Sequence, residues 1–320
     1  MIQIRKLKSA DIEKVCALFT EFLPYKRDID FWFWINKFIG VDDSIAVIAE
    51  DKDEKIVGYY AIVPFNLNYM GTILKAGLGL HAFVHPDYRR KVSIFELSNL
   101  AYKEAKNKEI KLVYGFPNKN YKDIQLKIER WSEIATFKSI ELSAKIKKNN
   151  TKFKLKKINN SAKDLLNIEK LIIQNQNINS IELKKTTKYY YERYINHPQK
   201  LYNCFYIVVQ SKILGFLVLK TFKDEETVKG HIIDFITKEI VTYTDIIDLS
   251  LDYFNEEINK LVLWPVNEKF KAEVKKYGNI NYGFETFFGL KLIDKSLKDE
   301  LHNLINFENW NLMMGDSDAF

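Results

Sequence analysis

The stretch GLGLHAFVHPDYRRKVSIFELSNLAYKEAKNKEIKLVYGFPN (residues 77–118) decides the fold. Gly77 to Val84 is a short apolar run that reads as a strand. It breaks at His85-Pro86-Asp87 and passes through the cations Arg89, Arg90 and Lys91. From Ile94 the apolar residues recur at helical spacing, and a second apolar run, KLVYGFPN (111–118), closes the stretch. Strand, basic turn, helix, strand is a βαβ unit with parallel strands. Its turn sets cations and backbone N–H groups at a helix N-terminus, which suits an anion and above all a phosphate.

Working outward, IQIRKL (2–7) alternates like an edge strand. Ser9 reads as the N-cap of a helix over 10–23, and Asp28 as the cap of an aromatic helix, IDFWFWINKF (29–38). SIAVIAE (44–50) and IVGYYAIVPF (56–65) form a hairpin pattern, with a further turn at Met70-Gly71. Beyond Asn118 the pattern gives a helix over 122–129 and a strand over 138–147.

The second half repeats this order. LKKI (155–158) lies over IRKL (4–7), and NSAKDLLNIEKL lies over KSADIEKVCALF. Residues 189–194 answer 33–38, Gly215 answers Gly58, and KLVLWPVNEKFKAEVKKYGNI (260–280) answers KLVYGFPNKNYKDIQLKIERW (111–131). The lysine-rich run over 145–157 is therefore the first strand of a second copy as well as a linker. Where the first copy has its basic turn, the second reads Thr237-Lys238-Glu239-Ile240-Val241, without glycine. At the end of the sequence, Trp310 to Met314 reads as a strand, followed by a turn carrying Asp316 and Asp318.

At 320 residues, 47% hydrophobic and 28% charged, the chain is long enough for two domains with cores of their own. It has no apolar run of transmembrane length and no signal core at the N-terminus. Its two cysteines, Cys16 and Cys204, have no metal-ligand spacing. The expectation is a cytoplasmic protein without a metal. The net charge of +7 favours anionic partners, among which nucleic acid, a nucleotide and coenzyme A all qualify.

The first half resembles the GCN5-related N-acetyltransferase (GNAT) superfamily. The resemblance rests on element order and on VHPDYRRK (84–91), where the family commonly shows V-x-P-x-[YF]-R-G-K-G-x-G. It is strengthened by YGFPN (114–118), an ending found in a subset of these proteins. The motifs cover residues 1–147, and the internal repeat extends the resemblance to the rest. It implies an α+β fold of two tandem GNAT-like domains. Each would be a mixed, mostly antiparallel sheet with a splayed parallel pair, flanked by helices. Residues 1–149 would bind acyl-CoA, and 150–320 would be a degenerate copy helping to form the acceptor site.

The resemblance also implies roles. The backbone of Ala82, Phe83 and Val84 would pair with the pantetheine amides. Arg89 and the N–H groups of Arg90, Lys91, Val92, Ser93 and Ile94 would hold the pyrophosphate. Arg90, Val92 and Ile94 stand where the family has glycines. His81 on the fourth strand is either a base, acting directly or through water, or a core histidine. His85 falls on the same strand face, nearer the phosphate end. Asn118 would bond pantetheine or cap a helix. Tyr121 would protonate the leaving thiolate or pack against its helix. Trp34, Lys37 and Arg193 would contact the acceptor's rings and phosphates, and Asp316 its amine.

The implied function is transfer of an acyl group from acetyl-CoA, or a short hydroxyacyl-CoA, to the amine of a small molecule by direct attack in a ternary complex. The GFPN subset points to a dTDP- or UDP-linked amino sugar for surface polysaccharide. Neither nucleic acid nor membrane is expected as a partner. Two other readings stand beside it: a Fem-like transferase using aminoacyl-tRNA, and a non-catalytic protein that binds acyl-CoA or a nucleotide.

Overall fold

The computed structural model describes residues 2–22, 27–146, 151–159, 161–175, 178–223, 227–265, 267–278 and 280–317. Asp318 lies outside them. The chain divides into two compact units. Unit 1 is Met1–Ala135 with Phe287–Phe307, and unit 2 is Thr136–Thr286 with Glu308–Phe320.

In chain order the first copy supplies β1 (Gln3–Lys6), α1 (Ile12–Phe22), α2 (Ile29–Lys37), β2 (Ile45–Glu50), β3 (Ile56–Tyr69) and β4 (Thr72–Val84). It continues with α3 (Ile94–Asn107), β5 (Leu112–Gly115), α4 (Lys119–Asp123, continued by a π-turn to Ile128) and β6 (Ser132–Ser143). The second copy supplies β7 (Lys154–Lys157), α5 (Ala162–Gln174), β8 (Ile181–Leu183), α6 (Thr187–Tyr190, with a π-turn to Ile195), β9 (Asn203–Val209) and β10 (Lys212–Lys223). After these come β11 (Val228–Thr237), α7 (Tyr243–Phe254), β12 (Lys260–Leu263), α8 (Glu268–Val274), β13 (Asn281–Leu292) and α9 (Leu301–Leu304).

Unit 1 builds a sheet in the order β1-β2-β3-β4-β5-β13, antiparallel except for β4 and β5. The parallel pair is short. Ala76, Gly77 and Leu78 pair with Leu112, Val113 and Tyr114, after which β4 runs on to Val84 without β5 beside it. The sheet forks there. Just past the fork β4 carries a bulge: Leu80 pairs with Ala61 and Phe83 with Tyr59, so β4 has one residue more than β3. His81 occupies the bulge with φ +54, in the left-handed region.

Unit 2 repeats the pattern in the order β6-β12-β11-β10-β9-β7. Its parallel pair is Lys229, Gly230 and His231 against Lys260, Leu261 and Val262. A bulge follows at the same place, where Ile232 pairs with Leu219 and Asp234 with Val218. The outer strands β1 and β7 carry Arg5, Lys6, Lys154, Lys156 and Lys157, charges that discourage further strand addition.

The units do not follow a single cut between 149 and 150. The strand beside β5 is the end of β13, with Gly289↔Gly115 and Leu292↔Leu112 in register. The strand beside β12 is the end of β6, with Ile140↔Leu263 and Ser143↔Lys260. Each copy gives its last strand to the other's sheet. In unit 1 the incoming segment is well fixed. Phe288 stacks on Phe116 (4.8 Å, 12°), Asp294 meets Lys111 at 2.6 Å, and Tyr69 donates to Glu300 at 2.6 Å.

Local differences from the sequence reading have local causes. Ser9 is not the N-cap of α1. It opens a 3-10 turn whose Asp11 accepts from the Lys8 N–H (2.7 Å) and from Arg5. The strand expected over 138–147 begins at Ser132. Trp310–Met314 makes only a bridge, Trp310 to Ile181, and a buried 3-10 turn, Met314–Asp316, follows. Asp28 caps α2, the Met70-Gly71 turn is present, and β7 is the strand expected near Phe153. Among the described residues no helix is long and apolar enough to cross a membrane.

Candidate active site

The fork of unit 1 has two chemically different faces. Toward α1 and α2 it presents His81, Phe83 and His85. Phe83 and His85 pack on Phe22 of α1, and the His81 ring lies 5.2–6.2 Å from the rings of Phe19, Phe31 and Trp32. His81 and His85 thus share a face, as the alternation predicts.

The His81 Nε2 accepts a short hydrogen bond from Arg27 Nη1. A guanidinium only donates, so the proton of this imidazole sits on Nδ1, which is buried and bonds to no other described group. Burial, and secondarily the Arg27 charge, hold the His81 pKa well below the ordinary histidine value. The ring is neutral at pH 7.

Toward α3 and α4 the fork has a floor of glycine and indole. A Cβ on Gly115 would sit 3.1 Å from the Gly79 carbonyl oxygen and one on Gly79 3.3 Å from Val113 Cγ1, each also 3.4 Å from the Trp131 ring, so the close packing of strands and indole favours glycine at both. Trp131 Nε1 donates to Tyr102 Oη (2.9 Å). Tyr102 donates to Glu129 Oε2 (2.8 Å) and so accepts from Tyr60 (2.8 Å). Tyr121 donates to Glu129 Oε1 (2.6 Å). Lys291 donates to the Glu129 carbonyl and lies over the Tyr102 ring. The Glu129 carboxylate is 1% exposed and anchors the whole network. Burial first, then Tyr60 and Glu129, push the Tyr121 hydroxyl far above its ordinary pKa. Burial pulls that of Lys291 down.

The turn after β4 keeps Arg89, Arg90 and Lys91 exposed and buries Val92. The N–H groups of Lys91 and Val92 both donate to the Tyr88 carbonyl at 2.8 Å, so two of the five expected anion donors are already engaged. Those of Arg90, Ser93 and Ile94 make no hydrogen bond among the described residues. The Ser93 hydroxyl caps α3 by accepting from Phe95 N, and Val92 sits in the core against α3. Past the fork, the backbone of Ala82, Phe83 and Val84 has β3 on one side and no β5 on the other.

The remaining expected site residues are dispersed. Asn118 caps α4, its Oδ1 accepting from Tyr121 N (3.0 Å). Trp34 is buried against Phe31, and Lys37 lies on the surface beside Asp43 (2.6 Å). Arg193 and Asp316 belong to unit 2 and are buried there. Arg193 Nη2 donates to the Ser317 carbonyl (2.8 Å). Asp316 accepts from Met313 N (2.8 Å) and lies 2.8 Å from Lys185 Nζ. Lys185 also meets Asp234 at 2.8 Å, and Tyr194 donates to that carboxylate at 2.6 Å. Burial acts to lower the Lys185 pKa, but the two carboxylates outweigh it and hold the ammonium well above its ordinary value.

Sequence reading missed Arg27 and Glu129. Both leave a trace in the repeat. Arg27 immediately precedes the N-cap of α2, as Lys185 immediately precedes the N-cap of α6. Over residues 111–131 and 260–280, Tyr121 answers Phe270, Glu129 answers Gly278 and Gly115 answers Trp264. The hydroxyl, the carboxylate and the open approach at the fork all belong to the first copy.

Residues 3–123 match the sequence profile of the acetyltransferase (GNAT) domain family. No curated protein matches the chain by sequence. Among solved structures it is similar to a GCN5-related N-acetyltransferase from Anabaena variabilis, with TM-score 0.70 and 12% identity over 92% of this chain and 73% of that one. It is also similar to a probable N-acyltransferase from Enterococcus faecalis (TM-score 0.66, 11% identity, 92% and 73% covered). A third likeness is Saccharomyces cerevisiae N-myristoyltransferase with bound myristoyl-CoA (TM-score 0.61, 13% identity, 90% and 82% covered).

Proposed function

Residues 3–123 belong to the GNAT acetyltransferase domain family, and on that premise we propose that the protein is an acyl-CoA-dependent N-acyltransferase whose chemistry is run by the fork of unit 1. One observation carries the reading. The fork has a neutral imidazole on one face and a phenol–carboxylate pair on the other, beside an exposed cationic turn. Acyl-CoA, as substrate, fits these residues. Arg89, Arg90 and Lys91, with the amides of Arg90, Ser93 and Ile94 at the start of α3, supply charge and donors for a pyrophosphate. The unpaired edge of Ala82–Val84 supplies backbone partners for amides.

An uncharged amine reaching the fork from the α1 and α2 face attacks the thioester carbonyl. The C–N bond forms as the C–S bond breaks. The amine's proton passes to His81 Nε2, the thiolate takes a proton from Tyr121, and the His81 proton returns through water to the Tyr121 phenolate, which the Glu129 carboxylate beside it disfavours, so both groups are restored. Unit 2 lacks these groups, which supports a structural role for it.

The finer reading is that the acceptor is a nucleotide-linked amino sugar. It is supported by the GFPN ending of β5 and by the aromatic α2 next to the imidazole face. The test is thiol release by the purified protein from acetyl-CoA and short 3-hydroxyacyl-CoAs, against UDP- and dTDP-linked amino sugars and simpler amines. Release with at least one pair is expected, and silence with every pair would sink the proposal. CoA binding without turnover would instead favour the non-catalytic reading. Gly115→Trp, which places unit 2's residue at the working fork, should weaken CoA binding at least ~tenfold, about 1.4 kcal/mol.

A further inference from the structure

One small device occurs in both units. In unit 1, Arg27 precedes the cap residue Asp28, which accepts from Phe31 N (2.9 Å). The guanidinium lies 4.5 Å from the Phe31 ring centroid and bonds His81 at the bulge of β4. In unit 2, Lys185 precedes the cap residue Thr186, which accepts from Tyr189 N (3.1 Å). The ammonium lies 6.0 Å from the Tyr189 ring centroid and meets Asp234 at the bulge of β11. Each unit thus has a cation before the cap, an aromatic three residues after the cap, and a polar side chain from the bulge. Unit 2 shows one member more. The carboxylate of Asp316, carried in by the turn Met314–Asp316, lies on Lys185 at 2.8 Å. Tyr189 donates to the Gly315 carbonyl (2.9 Å) and holds that turn in place.

We propose that Arg27 is the acceptor-recognition residue of unit 1: it binds an anionic group, carboxylate or phosphate, on the amine substrate, and so releases the His81 Nε2 lone pair for the amine's proton. In unit 2 the carboxylate in that role belongs to the chain itself. The inference rests on the acyltransfer reading for its kinetics and on the repeated device for its geometry. A guanidinium prefers a carboxylate or phosphate, which it binds through two charge-assisted hydrogen bonds, to a neutral imidazole, which offers one lone pair. An anionic amine therefore draws Arg27 away from His81 as it binds. A neutral amine leaves the base engaged. Recognition and activation become one event, and selectivity comes from that coupling.

The experiment follows the His81 imidazole nitrogens by NMR in the full chain with CoA bound. The probes are glutamate, its amide glutamine-amide, a UDP-linked amino sugar and a neutral alkylamine. With an anionic probe the Nε2 signal should leave its hydrogen-bonded position, and with the neutral amine it should stay. In Arg27→Gln it should stand at the released position without any probe. Glutamate and the UDP-sugar separate a carboxylate from a phosphate as the recognised anion. In acyl transfer, the preference in kcat/KM for an anionic over a neutral amine should fall at least ~tenfold in Arg27→Gln, about 1.4 kcal/mol, and survive in part in Arg27→Lys. Equal responses to anionic and neutral probes, or an unchanged preference in Arg27→Gln, would overturn the proposal. If no amine is acylated at all, the acyltransfer reading fails, while the NMR arm still decides whether anions displace Arg27 from His81.

Discussion

The two forks have nearly the same backbone and opposite chemistry. Both pair for three residues, both bulge directly afterwards, and both are followed by an asparagine that caps the next helix, Asn118 or Asn267. Side chains separate them. Gly115 of one is answered in the repeat by the buried Trp264, packed on Phe137, of the other. Tyr121 with its buried carboxylate becomes Phe270, packed on Phe235 and Tyr243. The cationic turn becomes Thr237 to Val241. Hydrogen-bonding the backbone needs only extended chain, so the architecture survives the substitutions. A reaction needs particular atoms at the fork, so it does not. At the helix after the fork one copy keeps a phenol bonded to a buried carboxylate, while the other has an apolar ring there and places its buried charges around Lys185 instead.

The most severe way to break the comparison is to separate the copies. Residues 1–149 alone lack the β13 end beside β5, and 150–320 alone lack the β6 end beside β12. Neither fragment should give a cooperative melt by circular dichroism, whereas the two co-expressed should. Independent cooperative folding of 1–149 would mean the exchanged strand is dispensable. Next in size, Trp264→Gly gives unit 2 the residue of unit 1. It should cost about 3–5 kcal/mol from loss of a buried indole, read as a fall in thermal midpoint, and should create no second CoA site. Tyr121→Phe makes the reverse exchange. It leaves Glu129 Oε1 without its donor and should cost about 1–3 kcal/mol in denaturant unfolding. Glu129→Gln in the same background should recover part of that, since a neutral amide loses less by burial.

The smallest effect is an acid one. His231 stands where unit 1 has Leu78, and burial, then Lys220 and Lys229, push its pKa down to about 3. The unfolded histidine titrates near ~6.5, so this group's contribution to stability is complete above that pH. It declines as pH falls toward the folded value, by about 1.4 kcal/mol at pH ~5.5. His231→Leu should flatten that part of the stability curve. An unchanged acid slope would assign it to other groups.

Much of the fold could be read from the sequence because it rests on period and punctuation. The apolar runs, Asp28 as a cap, the Met70-Gly71 turn and the order of both copies all follow from local chemistry. The strand exchange could not be read. β6 and β13 pair equally well with any extended edge, and nothing in their sequence names which. At the candidate site, His81, Tyr121 and the cationic turn were legible as residue types in a motif. Their partners were not. Arg27 lies 54 residues from His81, and Glu129 is one carboxylate among many until Tyr102 and Tyr121 are seen to point at it. Arg193 and Asp316 were legible as charged residues near an expected pocket, yet each is buried with a partner inside unit 2.

The exchanged strands also bear on synthesis. When residue 149 has been made, unit 1 lacks the end of β13 and the segment through α9, and the outer edge of β5 has no neighbour. That edge waits until residue 292 emerges, roughly seven to thirty seconds at ribosomal speeds of about 5–20 residues per second. For that interval the part of the sheet holding Gly115 is an open, apolar edge beside Phe116. Unit 1 is begun first, yet its closing segment, residues 287–307, follows most of unit 2. A chain that ends before residue 289 leaves β5 without its partner strand, and such a chain is expected to show no acyl transfer.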